Sequence, residues 1–286
     1  FHLTKKLTNS IFQGWIVTQT LGFWSLLRLL LQIFRPSLTP AAAFSFKQMD
    51  KNATLTIENK NGEKENNLQI GFTPQQMADR VEGLIRSVGL TKNFSSIIYL
   101  IGHGSSSVNN THYSAYDCGA CCGRPGSVNA RVMSFMANHQ EVRKILFSRG
   151  LTIPEGTEFV GALHDTTRDE ITFFDEENLN EKNKSLHKQN VSVFEKALDL
   201  NSKERSRRLM SIDSKKTPEK IHELILRRSV SLFEPRPELN HATNTLCIVG
   251  RRDITKNLFL DRRAFLNSYD YKQDPEGKLL VGIMRP

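Results

Sequence analysis

A capped helix followed closely by an unbroken apolar strand is the feature that most constrains how this chain can fold. Thr73 can act as the N-cap, Pro74 suits the first helical position, and Gln76 completes a Thr-x-x-Gln capping box. The helix is predicted to end at Gly89, and the strand "SSIIYLIG" comes next. Because this strand lacks polar alternation, we expect both of its faces to be covered, as in a parallel sheet.

The same alternation continues along the chain. A second helix is predicted from about Val128 to Arg149, with Ser127 as its cap and Gly150 as its stop. "TEFVGALHD" predicts a second strand, "DEITFFD" a third, and "NTLCIVG" a later one in which Cys247 is a small core residue. Alternating helices and strands indicate the α/β class, with a mainly parallel sheet flanked by helices.

Shifts in composition divide the chain into four predicted parts: an N-terminal helical and connecting segment (1–70), an α/β core (71–175), a charged loop and helical insertion (176–240), and a C-terminal strand and helix that return to the core (241–286).

Within these parts, turn and charge patterns give three local predictions. Asn61-Gly62 is predicted to be a hairpin turn. Residues 176–190 are predicted to be a polar loop. Two basic amphipathic helices are expected to follow it, the second beginning at Thr217-Pro218.

Residues 11–34, "IFQGWIVTQTLGFWSLLRLLLQIF", form the most apolar segment of the chain. The segment is long enough to cross a bilayer. Arg28 and several glutamines and threonines are costly in hydrocarbon, which disfavours a membrane span. The favoured interpretation is a buried or partner-facing helix, with a helix lying on a membrane surface and a true span as alternatives.

Composition excludes wholesale disorder and gives little support for nucleic-acid binding. Of the 286 residues, 38% are hydrophobic and 24% charged, which is typical of globular proteins. The net charge is +9, but the basic residues are scattered; the densest groups, Arg205–Arg208 and Lys215–Lys216, are interpreted as solvated helical faces. Because the chain begins at Phe1 and ends just after an apolar run, we expect a fragment of a longer protein.

His103 and Cys118 are the strongest candidates for a chemical site. His103 directly follows the first strand, and functional residues gather beyond the carboxyl ends of strands in open α/β sheets. Its neighbours Gly102 and Gly104 allow a close backbone approach or a positive φ. Cys118 follows fifteen residues later, and imidazole nitrogen and thiolate sulfur are ligands that zinc prefers. The pair therefore predicts half of a metal site, for which further candidate ligands are Asp117, Cys121, Cys122, His112 and His164.

The residues alone leave other interpretations open. Cys118 could be a thiolate nucleophile with His103 as its base, the glycine–serine turn could bind phosphate, or the whole stretch could be a structural turn. His164 or Asp165 could orient a ligand from the end of the second strand. Arg131 and Arg168 could hold an anion such as bicarbonate, although ordinary structural roles are expected more often for both arginines.

Several long blocks of the chain resemble the inorganic-carbon transporter subunit DabA family. The resemblance is carried by "IGHGSSSVNNTHYSAYDCGACCGRPGSVNAR", "IPEGTEFVGALHDTTRDEI", "FEPRPELNHATNTLCIVGRRDIT" and "LFLDRRAFLNSYD". It implies a β-carbonic-anhydrase-like core with a zinc ion held by two cysteines, one aspartate and one histidine. His103 and Cys118 match two of these ligands. The family's Cys-x-Asp-x-Arg element, which provides the other two, does not occur, since no cysteine precedes Cys118.

The resemblance also implies a function. It predicts a Zn²⁺-binding subunit of an energy-coupled inorganic-carbon pump that hydrates CO2 to bicarbonate by a zinc-hydroxide mechanism. The implied partner is a membrane-embedded DabB-like subunit that translocates protons or cations, and the implied location is peripheral, at the cytoplasmic face of the cell membrane. The alternatives are a cysteine-dependent hydrolase or transferase that uses Cys118 and His103, and a non-catalytic docking scaffold.

Overall fold

The computed structural model describes residues 11–35, 52–59, 62–106, 125–234 and 244–285. Its α-helices and strands, in chain order, are α1 (Ile11–Phe34), β1 (Lys64–Glu65), β2 (Leu68–Gln69), α2 (Pro74–Ser87), β3 (Ile97–Gly104), α3 (Ser127–Asn138), α4 (Gln140–Ser148), β4 (Glu158–Asp165), β5 (Glu170–Phe173), α5 (Glu181–Ser206), α6 (Pro218–Ser229), β6 (Leu246–Gly250), β7 (Ala264–Ser268) and α7 (Lys278–Met284).

The main sheet has the order β3-β4-β5. β3 and β4 are parallel over eight aligned pairs, from Ile97 opposite Glu158 to Gly104 opposite Asp165, whereas β5 is antiparallel to β4. A separate two-stranded sheet pairs β6 with β7 in parallel. The four strands predicted from apolar runs are therefore confirmed as strands. Their assignment to a β-carbonic-anhydrase-like parallel sheet stays a prediction, as does the four-part division of the chain.

Helices cover both faces of the main sheet. On one face α2, α3 and α4 pack against β3 and β4 through a cluster whose fully buried members include Met77, Val81, Met136, Val142 and Leu146. Burial of each such side chain stabilises the fold by about 1.5–3 kcal/mol. On the other face Ile97, Val160 and Leu179 pack with partly buried Tyr99, Phe173 and Leu186, the last of which belongs to α5.

The predicted start of α2 is confirmed in detail. The Thr73 hydroxyl accepts a hydrogen bond from the Gln76 main-chain N–H at 3.3 Å, and the Gln76 side-chain oxygen accepts one from the Thr73 N–H at 3.0 Å. The cap predicted at Thr217 is also present, since its side chain accepts from the Lys220 N–H at 3.4 Å.

The single helix predicted from Val128 to Arg149 is wrong, because His139 divides it into α3 and α4. His139 has an extended backbone with φ −69° and ψ 126°. The preceding residue, Asn138, exchanges two hydrogen bonds of 2.8 and 2.9 Å with the main chain of Phe159, where β5 does not reach the edge of β4. The predicted cap is wrong as well: Gly126 precedes the helix, and Ser127 is its first residue.

Three further predictions differ from the structure. Most of the loop predicted over 176–190 is helical, because Asn180 caps α5 by accepting from the Asn183 N–H at 2.9 Å. The hairpin turn lies at Asn66-Asn67, and both residues have a positive φ. The turn was predicted at Asn61-Gly62, and Asn61 lies outside the described residues. Cys247 is exposed and is not a core residue, because β6 belongs to a sheet of only two strands among the described residues.

Helix α1 is exposed along its length, so the predicted burial in the core is wrong for the part of the chain that the structure describes. Its large apolar side chains are open to solvent, among them Ile11, Trp15, Phe23, Trp24 and Phe34. By length and composition, Gly14–Phe34 is apolar enough to cross a membrane, and none of that window is buried. The partner-facing and membrane interpretations of this helix therefore remain open.

Candidate metal half-site

His103 lies one residue before the end of β3, at the carboxyl edge of the parallel pair, and its side chain is exposed. In the strand register it is aligned with His164 of β4. Alternate side chains of a strand share a face, so His103 lies on the same face as Ile97 and Tyr99, the face that α5 covers. The sequence predicted His103 directly after this strand; in the structure β3 continues to Gly104, so His103 lies among its last paired residues, and the fold places a second histidine beside it.

The glycines that flank His103 allow close approaches, to the Gly126 backbone at Gly102 and to the Leu163 side chain at Gly104. A Cβ on Gly102 would lie 2.3 Å from the carbonyl oxygen of Gly126, and one on Gly104 would lie 3.0 Å from Leu163 Cδ1. Neither glycine has a positive φ. Of the two roles expected from the sequence, the structure therefore selects the close approach, which brings the start of α3 directly against His103.

Hydrogen bonds hold the chain on both sides of His103. The Gly126 N–H donates to the His103 carbonyl at 2.7 Å, and the Thr166 N–H donates to the Gly104 carbonyl at 2.8 Å. Just beyond β3, the Ser105 and Thr167 hydroxyls lie 2.8 Å apart, within hydrogen-bonding distance. The backbone at His103 is thus fixed by the neighbouring strand and by the returning chain.

Asp169 forms the second polar feature of this edge. Its carboxylate, 1% exposed, accepts hydrogen bonds from Asn201 and Ser202 at 2.8 Å and pairs with Arg205 at 2.9 Å. His164 Nε2 lies 3.5 Å from the same carboxylate, which is too far for a well-formed hydrogen bond but close enough for attraction. Burial alone would raise the pKa of Asp169, yet His164, Arg205 and the two polar donors outweigh it, so the pKa lies below its usual value.

Arg131 and Arg168 are engaged by carboxylates, which favours the structural role for both. Arg131 donates twice to Asp175 at 2.6 Å and once to the Ala53 carbonyl. Arg168 donates to both oxygens of Glu170, at 2.7 and 3.3 Å. Because each guanidinium faces an internal carboxylate, its positive charge is compensated within the chain.

Five of the predicted ligands lie outside the described residues: Cys118, Cys121, Cys122, Asp117 and His112. The convergence of His103 and Cys118 on one cation therefore stays a prediction. Among the described residues, no group of three or more histidine, cysteine, aspartate and glutamate side chains is arranged to hold a metal ion. His103 fits a single zinc ligand, since it is an exposed imidazole on a fixed backbone.

Comparison with known proteins identifies the family. The family model described as "Probable inorganic carbon transporter subunit DabA" matches residues 1–286. This chain belongs to the DabA family. A DabA relative from Nitrosospira multiformis is 62% identical over 285 residues, covering 98% of this chain and 31% of the relative. One from Azotobacter vinelandii is 57% identical over 281 residues, covering 98% and 33%. Both carry the name probable inorganic carbon transporter subunit DabA.

This DabA chain therefore spans about a third of the length of these curated relatives. No solved structure matches it.

Sequence reasoning missed the buried pair of Asp169 and Arg205. Arg205, which the charge pattern placed on a solvated helical face, is only 4% exposed and also donates to the carbonyls of Thr166 and Thr167. The available signal was weak: Ser202 and Arg205 are three residues apart and so share a face of α5. In this DabA chain that face points to the turn between β4 and β5.

Proposed function

We propose that this chain contributes His103 and Cys118 as two ligands of a Zn²⁺ site in a subunit that takes part in inorganic carbon transport. The observation that carries the proposal is the DabA match over the whole chain, which includes the Gly-His-Gly and Asp-Cys-Gly-Ala-Cys motifs. The exposed imidazole at the carboxyl edge of β3 supports it. The two remaining ligands, a cysteine and an aspartate, would come from residues outside this chain.

We propose that the reaction is the hydration of CO2 to bicarbonate. Zinc, when bound, would lower the pKa of a coordinated water from about 16 to about 7 and so provide a nucleophile at neutral pH. His103 would bind as a neutral imidazole and Cys118 as a thiolate, which are the forms of these side chains that act as ligands. The chain's own contribution is to hold the imidazole on a rigid strand end, through the contacts of Gly102 and Gly126.

The parallel pair of β3 and β4, with helices on both faces, supports a β-carbonic-anhydrase-like core. We propose this core as the fold of the site. In such an arrangement, ligands from several strands meet at the carboxyl edge, where His103 lies.

We propose that the subunit is peripheral, at the cytoplasmic face of the cell membrane, and docks on a membrane-embedded DabB-like subunit that translocates protons or cations. The exposed apolar surface of α1 supports this partner. Large exposed apolar surfaces of this kind mark sites of interaction with other proteins or with membranes.

Metal analysis of the full-length subunit tests the zinc proposal. We expect about one zinc per subunit and a loss of most of it in His103→Ala and in Cys118→Ala, because each variant removes one of four ligands. Cys247→Ala, which removes an exposed cysteine of the described part, is the control and keeps its zinc.

Unchanged zinc in both ligand variants would refute the proposal. Rapid alkylation of Cys118 with the metal still bound would favour the cysteine-dependent hydrolase or transferase instead. Full transport by both alanine variants in cells would favour the docking scaffold.

A further inference from the structure

The buried carboxylate of Asp165 binds the chain that follows His103. We propose that Asp165 is a positioning residue for His103, which holds the strand end so that the imidazole is ordered before a metal binds. The proposal rests on the function proposed above, in which His103 is a zinc ligand.

Four donors from two different segments converge on Asp165, which is 4% exposed. Its Oδ1 accepts hydrogen bonds from the main-chain N–H groups of Ser106 at 3.2 Å, Thr167 at 3.1 Å and Arg168 at 3.4 Å. Its Oδ2 accepts one from the Ser106 hydroxyl at 2.5 Å. One carboxylate therefore joins the chain that leaves β3 to the turn that leaves β4.

These bonds extend the sheet beyond its last pair. Regular pairing of β3 with β4 ends where Gly104 is aligned with Asp165. The Asp165 carboxylate continues the connection to Ser106, three residues after His103 in the chain. Without it, the strand end would keep the main-chain bonds at His103 and Gly104 and the contact between the Ser105 and Thr167 hydroxyls, but Ser106 would lose its connection to β4. The edge that carries the imidazole would then open more readily.

The interaction uses both oxygens of the Asp165 carboxylate. Oδ1 accepts from three main-chain N–H groups, and Oδ2 accepts from the Ser106 hydroxyl. An asparagine in the same place keeps one acceptor oxygen and loses the other, and an alanine loses both. A positioning role therefore predicts a graded effect, with alanine more severe than asparagine.

Metal ligands held by their surroundings bind more tightly, because less freedom is lost when the ion binds. Loss of a group that orients a ligand typically weakens metal binding by about 10- to 100-fold. We expect an effect of this size from Asp165 even though it does not contact the metal in the proposed site.

The experiment uses the full-length subunit, loaded with zinc or with Co²⁺ as a spectroscopic probe. The variants are Asp165→Ala, Asp165→Asn and Ser106→Ala, and zinc release into a chelator is the first measurement. Asp175→Ala is the matched control. It also removes a hydrogen-bonded carboxylate, one that accepts two bonds from Arg131 and lies after the far end of β5, away from His103.

We expect zinc release to be about 10- to 100-fold faster in Asp165→Ala, with a smaller increase in Asp165→Asn and in Ser106→Ala. Asp175→Ala should release zinc at the wild-type rate even if its unfolding temperature falls. The cobalt absorption bands of the Asp165 variants should shift or weaken, whereas a purely structural loss would leave the bands of the folded fraction unchanged. If Asp165→Ala does not fold, the zinc release rates and cobalt spectra of Asp165→Asn and Ser106→Ala test the positioning role.

Wild-type release rates and cobalt spectra in the Asp165 and Ser106 variants, with His103→Ala free of metal, would overturn the positioning role and leave the proposed zinc site intact. Zinc retained in both His103→Ala and Cys118→Ala would instead refute the site itself, and the positioning role with it.

Discussion

Replacement of Gly102 by alanine is expected to loosen the strand end that carries His103. A Cβ at this position would lie 2.3 Å from the Gly126 carbonyl oxygen and 2.5 Å from the carbonyl carbon, about 1 Å short of ordinary contact. Both atoms belong to the backbone, so no side chain can rotate away. The start of α3 must move outward, and the 2.7 Å hydrogen bond from the Gly126 N–H to the His103 carbonyl is lost.

The magnitude follows from these two effects. Overpacking of this kind costs about 1–3 kcal/mol, and the lost hydrogen bond adds about 0.5–1.5 kcal/mol. A total of about 2–4 kcal/mol corresponds to amide exchange of β3 that is about 30-fold to several hundred-fold faster, where exchange occurs by local opening. Hydrogen exchange of the full-length subunit, followed by mass spectrometry over peptides that cover 97–104, measures this directly.

Gly83→Ala is the matched control, because Gly83 lies in the middle of α2 and a Cβ there meets nothing within 4 Å. Alanine is the better helix former by about 1 kcal/mol, so this variant should be neutral or more stable. If β3 exchanges at the same rate in Gly102→Ala and Gly83→Ala, the close approach of the two backbones does not constrain His103, and the reasoning is refuted.

Two further predictions concern the buried ion pair and the exposed helix. The pKa of Asp169 is lowered in the folded protein, so its ionised form stabilises the fold above the unfolded-state pKa of about 4, and this stabilisation is lost as the pH falls through the lower folded-state pKa. Asp169→Asn should lower the stability at pH 7 by about 3–5 kcal/mol, because Arg205 is left buried without its carboxylate. The variant should also lose this part of the acid dependence of stability. Thermal unfolding between pH 2 and 7 measures both effects, and an unchanged acid profile would show that Asp169 does not cause this dependence. If α1 docks on the proposed DabB-like membrane subunit, Leu26→Glu on exposed α1 should abolish co-purification with that subunit from detergent extracts, whereas Val193→Glu, at an exposed apolar residue of α5, should not. Equal recovery of the partner with both variants would exclude α1 as the docking surface.

Short-range signals in the sequence were reliable wherever a few neighbouring residues decide the structure. The Thr73 capping box and the Thr217 cap are present as predicted, because each depends on hydrogen bonds within one turn. The apolar runs became strands β3, β4 and β6. The glycines on either side of His103 correctly indicated an unusual backbone environment, although only the structure shows that its cause is Gly126.

Predictions that depended on distant partners failed more often. The break at His139 coincides with two hydrogen bonds between Asn138 and the main chain of Phe159, on the part of the β4 edge that β5 does not reach, and no pattern within the helix reveals them. Arg205 is buried because Asp169 and two carbonyls of the β4–β5 turn face it, although its neighbours in the sequence suggest a solvated surface. Cys247 is exposed because the apolar character of a strand does not determine how many strands or helices will cover it.

The sequence by itself determined the family of this chain, its α/β alternation, and the position of a histidine at the end of the first long strand. The tertiary structure alone decided what lies beside that histidine, His164 by strand register and Gly126 by close packing, and what holds this edge of the sheet: Asp165 binds Ser106, and Asp169 faces His164. The physical reason is the distance along the chain between the residues that interact. Caps and strands depend on residues a few positions apart, whereas the groups around His103 come from segments 23 to 66 residues further along the chain, and only the packing of the sheet brings them together.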